Sequence, residues 1–283
     1  MAQRAADLTY CGEEVRKFDA DRFLISLFAP PARRAELWAV YAFNLEVAKT
    51  REVVSEPTLG LIRLQWWREA VDALYAGEVR QHAVLSELAP AIRAHDLSKS
   101  LFDRLIDVRE EDLSDEPPAN LVCLVNYAEV TGASPIQLSA EILGARSPAV
   151  TEAARRVGTA YALAGILRAV PFHARDRRLF LPADLLAAEG IGQQSLFDLK
   201  PPPSLSNVVR MVVAEARRHL DAARALRREV PPAARAALLP AVLADLYLGV
   251  IERAGFDVFA PRVQMQNPFR QLRLAWAAAR GRW

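Results

Sequence analysis

Few residues of this chain offer chemistry on their own: four histidines, two cysteines and one adjacent tryptophan pair. His82, His95, His173 and His219 are scattered, with no HExxH spacing to gather a metal. Each reads as a surface or packing imidazole. Cys11 and Cys123 are too few for a disulfide scaffold or a cysteine-rich zinc site. They fit free thiols in a reducing compartment. Cys123, in an apolar stretch, reads as a small core residue rather than a nucleophile. Trp66 and Trp67 stand between Arg63 and Arg68, but helical spacing puts Trp67 in a core and leaves Trp66 half-exposed. No GxGxxG follows a strand, and GxxxxGKS/T and GxSxG are missing.

The elements available to position side chains are helices. Leu37, Val40, Tyr41, Asn44, Leu45 and Ala48 recur on one helical face after the Pro30-Pro31 break. Leu61, Leu64, Trp67, Val71 and Leu74 line a second helix that stops at Gly77. The same periodicity predicts helices over 101–110, 119–131, 135–143, 149–169, 204–228, 233–253 and 268–280. Pro117-Pro118, Gly144, Pro148, Pro201 to Pro203 and Pro231-Pro232 punctuate them, and 189–206 reads as a loop. Strand alternation, hairpin turns and fixed-period repeats are absent from the pattern. The expected fold class is all-α, a single large helical bundle.

Composition narrows the partners. Hydrophobic residues at 52% and charged residues at 25% exclude disorder. Lys+Arg 36 against Asp+Glu 34 leaves +2, which argues against nucleic-acid binding by bulk electrostatics. The most apolar stretch, 238–251, is interrupted by Pro240 and Asp245. The charged N-terminus lacks the apolar core of a secretory signal and is too acidic for a transit peptide, so the expected location is cytoplasmic.

Three blocks then carry a family resemblance: FAPPARRAELWAVYAF at 28–43 with its continuation to Glu56, LQWWR at 64–68 through Tyr75, and GILRAVPFH at 165–173 followed by RLFLP at 178–182. In order and spacing they resemble the squalene/phytoene synthases, all-helical enzymes that join two prenyl diphosphates head to head. The resemblance implies one domain over 1–283, with a core at about 19–259, a central cavity, and a C-terminal amphipathic segment at 268–283. In that family two facing helices each carry Asp-x-x-x-Asp, whose i,i+4 spacing sets both carboxylates on one face. The pairs hold Mg²⁺ ions that ionise the substrate diphosphates.

Here the motif positions read AKTRE at 48–52 and AVPFH at 169–173. Ala48 and Ala169 replace carboxylates, His173 replaces another, Lys49 has joined the first site, and Glu52 alone remains acidic. Pro171 is expected to kink its helix. A Glu and a His are a poor set for an ion that prefers six oxygens. The resemblance therefore implies a pseudoenzyme with no catalytic residues, no resident metal and no cofactor. The alternative is a Mg²⁺-dependent head-to-head prenyl transferase with altered motifs.

NLEVA at 44–48, VSEPTLG at 54–60 and FDVF at 256–259 further resemble the complex I assembly branch of that family. This implies work on respiratory complex I subunits or assembly intermediates, with a prenyl or lipid ligand in a vestigial cavity and a peripheral inner-membrane place left open. The lack of a transit peptide and the Ala/Arg-rich composition suggest a bacterial relative. In such a pocket Lys49, Arg51, Arg168 and Arg178 could form a cationic floor for an anionic headgroup. The alternative is an internal network in which Arg168 pairs with Glu52 or another carboxylate. Glu52 with His173 could supply half of a transition-metal site. Glu46 and Glu56 read as solvated or capping charges, and Tyr127, Tyr161 and Phe180 as cavity-lining or ordinary core aromatics. The C-terminal segment, with Leu272, Leu274 and Trp276 among Arg270, Arg273, Arg280 and Arg282, is expected to dock on the bundle. A partner protein or an anionic membrane surface are its other possible contacts.

Overall fold

The computed structural model describes residues 8–265 and 267–283, and every regular element among them is helical. The chain opens with α1 (Tyr10–Phe18) and α2 (Ala20–Ser26), joined at Asp19, whose carboxylate accepts from the Arg22 amide and so caps α2. α3 (Arg34–Ala48), α4 (Thr50–Val53), α5 (Pro57–Tyr75), α6 (Ala83–His95) and α7 (Lys99–Asp107) follow. A 3₁₀ segment, Val108–Leu113, leads to the long pair α8 (Leu121–Ile142) and α9 (Pro148–Arg175). Two short helices, α10 (Ala183–Ala188) and α11 (Gln193–Phe197), precede α12 (Leu205–Ala225). The chain closes with α13 (Arg235–Leu238), α14 (Pro240–Arg253), α15 (Pro261–Gln264) and α16 (Arg270–Ala279).

α9 is the axis of the bundle, packed by α8, α12 and α14. Its Val157, Ala160, Leu163, Ala164 and Leu167 are buried on several sides, as a central helix requires. α8 and α9 cross where each carries a glycine. A Cβ on Gly132 would lie 2.1 Å from the Gly158 carbonyl oxygen, and one on Gly158 would lie 2.4 Å from the Ala133 Cα. Only a bare backbone permits that approach, which sets the separation of the two helices. A second cluster joins α1, α3, α5, α6 and α7. There the Phe43 ring meets Trp67 edge-on at 5.4 Å and Phe102 at 5.1 Å.

Several expectations are corrected. α8 runs unbroken through Pro135, and α9 continues through Pro171 to Arg175, where the sequence suggested ends near 131 and 169. A proline costs a helix one amide donor, and burial on several sides outweighs that local loss. α1, α2 and α6 are helices beyond those the sequence pattern predicts. The stretch at 189–206 is not wholly a loop, since α11 and the start of α12 fall within it. Cys123 is exposed on the first turn of α8 rather than buried, whereas Cys11 is buried, and both are free thiols. Trp67 is buried and Trp66 half-buried, as expected. The run Pro232–Arg253 is apolar and long enough for a span, but 67% of an 18-residue apolar window within it is buried inside the bundle.

Candidate functional site

A cavity of about 450 Å³ opens between the end of α3, α8, α9, α14 and the 3₁₀ segment. Both motif segments reach it: Ala48 and Glu52 on one wall, Ala169 and His173 on the other. Arg168 and Arg178 line it too, as do Tyr127, Tyr161 and Phe180. Lys49 and Arg51 do not. The Lys49 ammonium turns to Glu46, and Arg51 reaches Asp115 at 3.4 Å. Glu46 is not solvated as expected. It is buried and also accepts from Arg63 at 2.8 Å, because two cations, Lys49 just past α3 and Arg63 on α5, hold it there.

The expected Arg168–Glu52 pair does not form. The Arg168 guanidinium lies 3.9 Å from the centre of the Tyr247 ring, a cation–π contact. Glu52 is exposed, with no ion-pair partner among the described residues. Arg178 instead donates to the Asp112 carbonyl oxygen at 2.9 Å. Asp112 is the hub of a buried triad: Arg109 donates to its Oδ2 at 3.0 Å, and the Tyr127 hydroxyl donates to its Oδ1 at 2.7 Å. Arg109 also contacts that hydroxyl at 3.0 Å. Arg109 is 8% exposed and Asp112 4%, so each charge depends on the other for compensation. Burial pushes the Tyr127 phenol above its ordinary value, which keeps it a neutral donor.

A second network closes the other side. Arg22 bonds Asp19 at 2.6 Å and lies against the Tyr41 and Tyr161 rings. Asp21 accepts from the Tyr247 hydroxyl and, at 2.8 Å, from Arg270. Sequence reasoning missed Arg22, Arg109, Asp112 and Tyr247. The Asp19/Arg22 spacing was a weak signal, and nothing local marks Asp112 within its acidic run.

His173 stacks at a tilt on Phe180, with ring centres 4.7 Å apart. Burial and then the nearby Arg178 charge lower its pKa to about 4, so the imidazole is neutral at pH 7. Its Nδ1 is buried with no hydrogen-bond partner, as are the Asn44 Oδ1 and the Arg109 Nε on the same cavity. These atoms, with four arginines (Arg22, Arg109, Arg168 and Arg178), suit a polar or anionic group held by hydrogen bonds. They do not suit the Mg²⁺ that this fold implies. The acidic lining is Glu52 and Asp112, and Asp112 is consumed by Arg109 and Tyr127. Among the described residues no three of His, Cys, Asp and Glu gather closely enough to hold a metal ion.

Comparison with known proteins fits this geometry to a family. The family model described as squalene/phytoene synthase matches residues 15–268. The chain is 37% identical over 265 residues to the NADH dehydrogenase (ubiquinone) complex I, assembly factor 6 of Bos taurus, covering 94% of this chain and 80% of that protein. The Homo sapiens protein of the same name is 35% identical over the same coverage, 94% and 80%. Among solved structures, the squalene synthase HpnC from Alicyclobacillus acidocaldarius superposes with a TM-score of 0.77 at 21% identity, covering 87% of this chain and 93% of that one.

Proposed function

Since this chain belongs to the squalene/phytoene synthase family, we propose that it is a non-catalytic member acting in the assembly of respiratory complex I. The observation that carries the reading is the likeness, over 94% of the chain, to proteins named complex I assembly factor 6. The donor set supports the loss of catalysis: at the two motif positions the cavity offers alanines, one exposed glutamate and a neutral imidazole beside a guanidinium. The cavity is retained as a polar chamber whose arginines have largely found protein partners. Such a chamber can still hold a prenyl or lipid headgroup without metal.

Three experiments test this. Deleting the gene lowers the assembled NADH:quinone oxidoreductase seen on native gels, and an unchanged level would sink the assembly role. Folded protein incubated with farnesyl or geranylgeranyl diphosphate and Mg²⁺ releases no diphosphate above background, next to a carboxylate-complete family enzyme as control. Turnover there would instead restore the prenyl-transferase reading. Native mass spectrometry of the purified protein reads whether a lipid travels in the cavity.

A further inference from the structure

The C-terminal helix docks on the bundle with only part of its circumference. Leu274 and Ala277 are buried against α14, as the sequence suggested. Phe269, Leu272 and Trp276, at 61%, 66% and 56% exposure, form a stripe on the outward side. At 100° per residue Arg273 and Arg280 fall within the same arc. The Arg280 guanidinium lies 4.1 Å from the centre of the Trp276 ring. Beside this stripe runs a groove of about 700 Å³ between α12, α14 and α16.

Arginine dominates that groove. Arg224, Arg227, Arg273 and Arg282 line it, with Asp245 as its one acidic side chain. Asp245 is already shared by Arg217 and by Arg224, the latter at 3.2 Å. Arg227 donates to the Trp283 carbonyl oxygen, and its Nε is buried without a partner. From 258 to 283 the sequence has five arginines and neither Asp nor Glu. Of these, Arg262 donates to the Arg253 carbonyl oxygen and Arg270 is taken by Asp21, which leaves Arg273, Arg280 and Arg282 with no carboxylate side chain paired to them among the described residues.

We propose that this face docks on an anionic phospholipid bilayer, with Arg227, Arg273 and Arg282 receiving headgroup phosphates. Phe269, Leu272 and Trp276 then enter the interface above the acyl chains. Charge and pattern favour this occupant over the others. A second copy would bring the same positive face against itself and be repelled. Interfacial helices interleave aromatic and aliphatic side chains with arginine, since the rings prefer the headgroup boundary while guanidinium groups stay at phosphate depth. Burial, and then crowding by Arg224 and Arg282, lowers the Arg227 pKa, and bound phosphate relieves that repulsion.

The inference goes beyond the assembly reading, and its test needs no complex I: purified full-length protein is floated with phosphatidylcholine vesicles with and without phosphatidylglycerol. Binding is expected only where phosphatidylglycerol is present, and it weakens as salt is raised. Replacing Arg273→Ala or Arg282→Ala lowers the partition coefficient about fivefold each, and the double variant about 25-fold. Trp276→Ala weakens binding with an unchanged melting temperature, since the residue is exposed in the free protein. Failure to bind either vesicle, equal binding to both, or binding unaffected by the double arginine change overturns the proposal. So does a concentration-dependent dimer that Trp276→Ala abolishes in protein that ignores vesicles.

Discussion

The central cavity and the C-terminal groove both gather arginines, but under opposite conditions. Around the cavity Arg22 has Asp19, Arg109 has Asp112 and Tyr127, Arg178 has the Asp112 backbone, and Arg168 has the face of Tyr247. In the groove Arg227, Arg273 and Arg282 line one surface, Arg227 donates only to the Trp283 backbone oxygen, and the one acidic side chain there, Asp245, is already shared. A buried charge without a partner costs several kcal/mol, so arginines of the first kind are part of the folded structure. Exposed like charges cost little and can wait for a ligand. One residue type thus holds the protein together in one region and offers it to a partner in another.

The largest expected effect breaks the cavity side of that contrast. Asp112→Ala strands the buried Arg109 and should lower stability by about 3–5 kcal/mol, read as a fall in the urea midpoint. Arg227→Ala in the groove, measured the same way, should stay within about 1 kcal/mol of wild type. Equal losses would erase the distinction.

Next comes Gly158→Ala at the helix crossing behind the cavity. Its methyl group meets backbone rather than a yielding side chain. A loss of about 1–3 kcal/mol follows from overpacking, with vesicle binding by the C-terminal face unchanged. A stable variant would mean that α8 and α9 can separate freely.

Acid sharpens the comparison through His173. Its pKa is about 4 in the folded protein against 6.5 as the ordinary value. Between those limits the unfolded chain binds the proton and the folded one does not. Stability is therefore fully present above pH 6.5 and declines as pH falls toward 4. His173→Gln, which cannot titrate, should flatten that part of the pH–stability curve. An unchanged slope would show that the imidazole is as easily protonated folded as unfolded.

The smallest effect belongs to Tyr247→Phe. It removes one hydroxyl from Asp21 while Arg270 remains. About 1 kcal/mol is expected by chemical denaturation. A much larger loss would mean that the Arg168 contact depends on that hydroxyl.

Much of this was readable in advance. Helices α3, α5 and α12 follow from apolar residues recurring at helical spacing, and the burial of Trp67 from its place among them. Ala48, Ala169 and His173, singled out in the sequence, do face one cavity. The partners of Lys49, Arg51 and Glu46 were not readable. A long side chain can reach several neighbours, and the choice depends on which helix lies alongside. The continuity of α8 and α9 through proline was hidden for a similar reason, because the compensating contacts come from distant residues.

By itself, then, the sequence determined the all-helical class and the amphipathic C-terminal helix. Each rests on residue identity and short-range periodicity, which need no knowledge of neighbours. Only the tertiary structure decided that Asp112 joins Arg109 to Tyr127 and that Arg168 rests on Tyr247. It likewise decided that four arginines share one groove with a single acidic side chain. Those outcomes depend on electrostatic compensation between residues far apart in the chain, and desolvation makes that compensation obligatory inside the bundle but not on its surface.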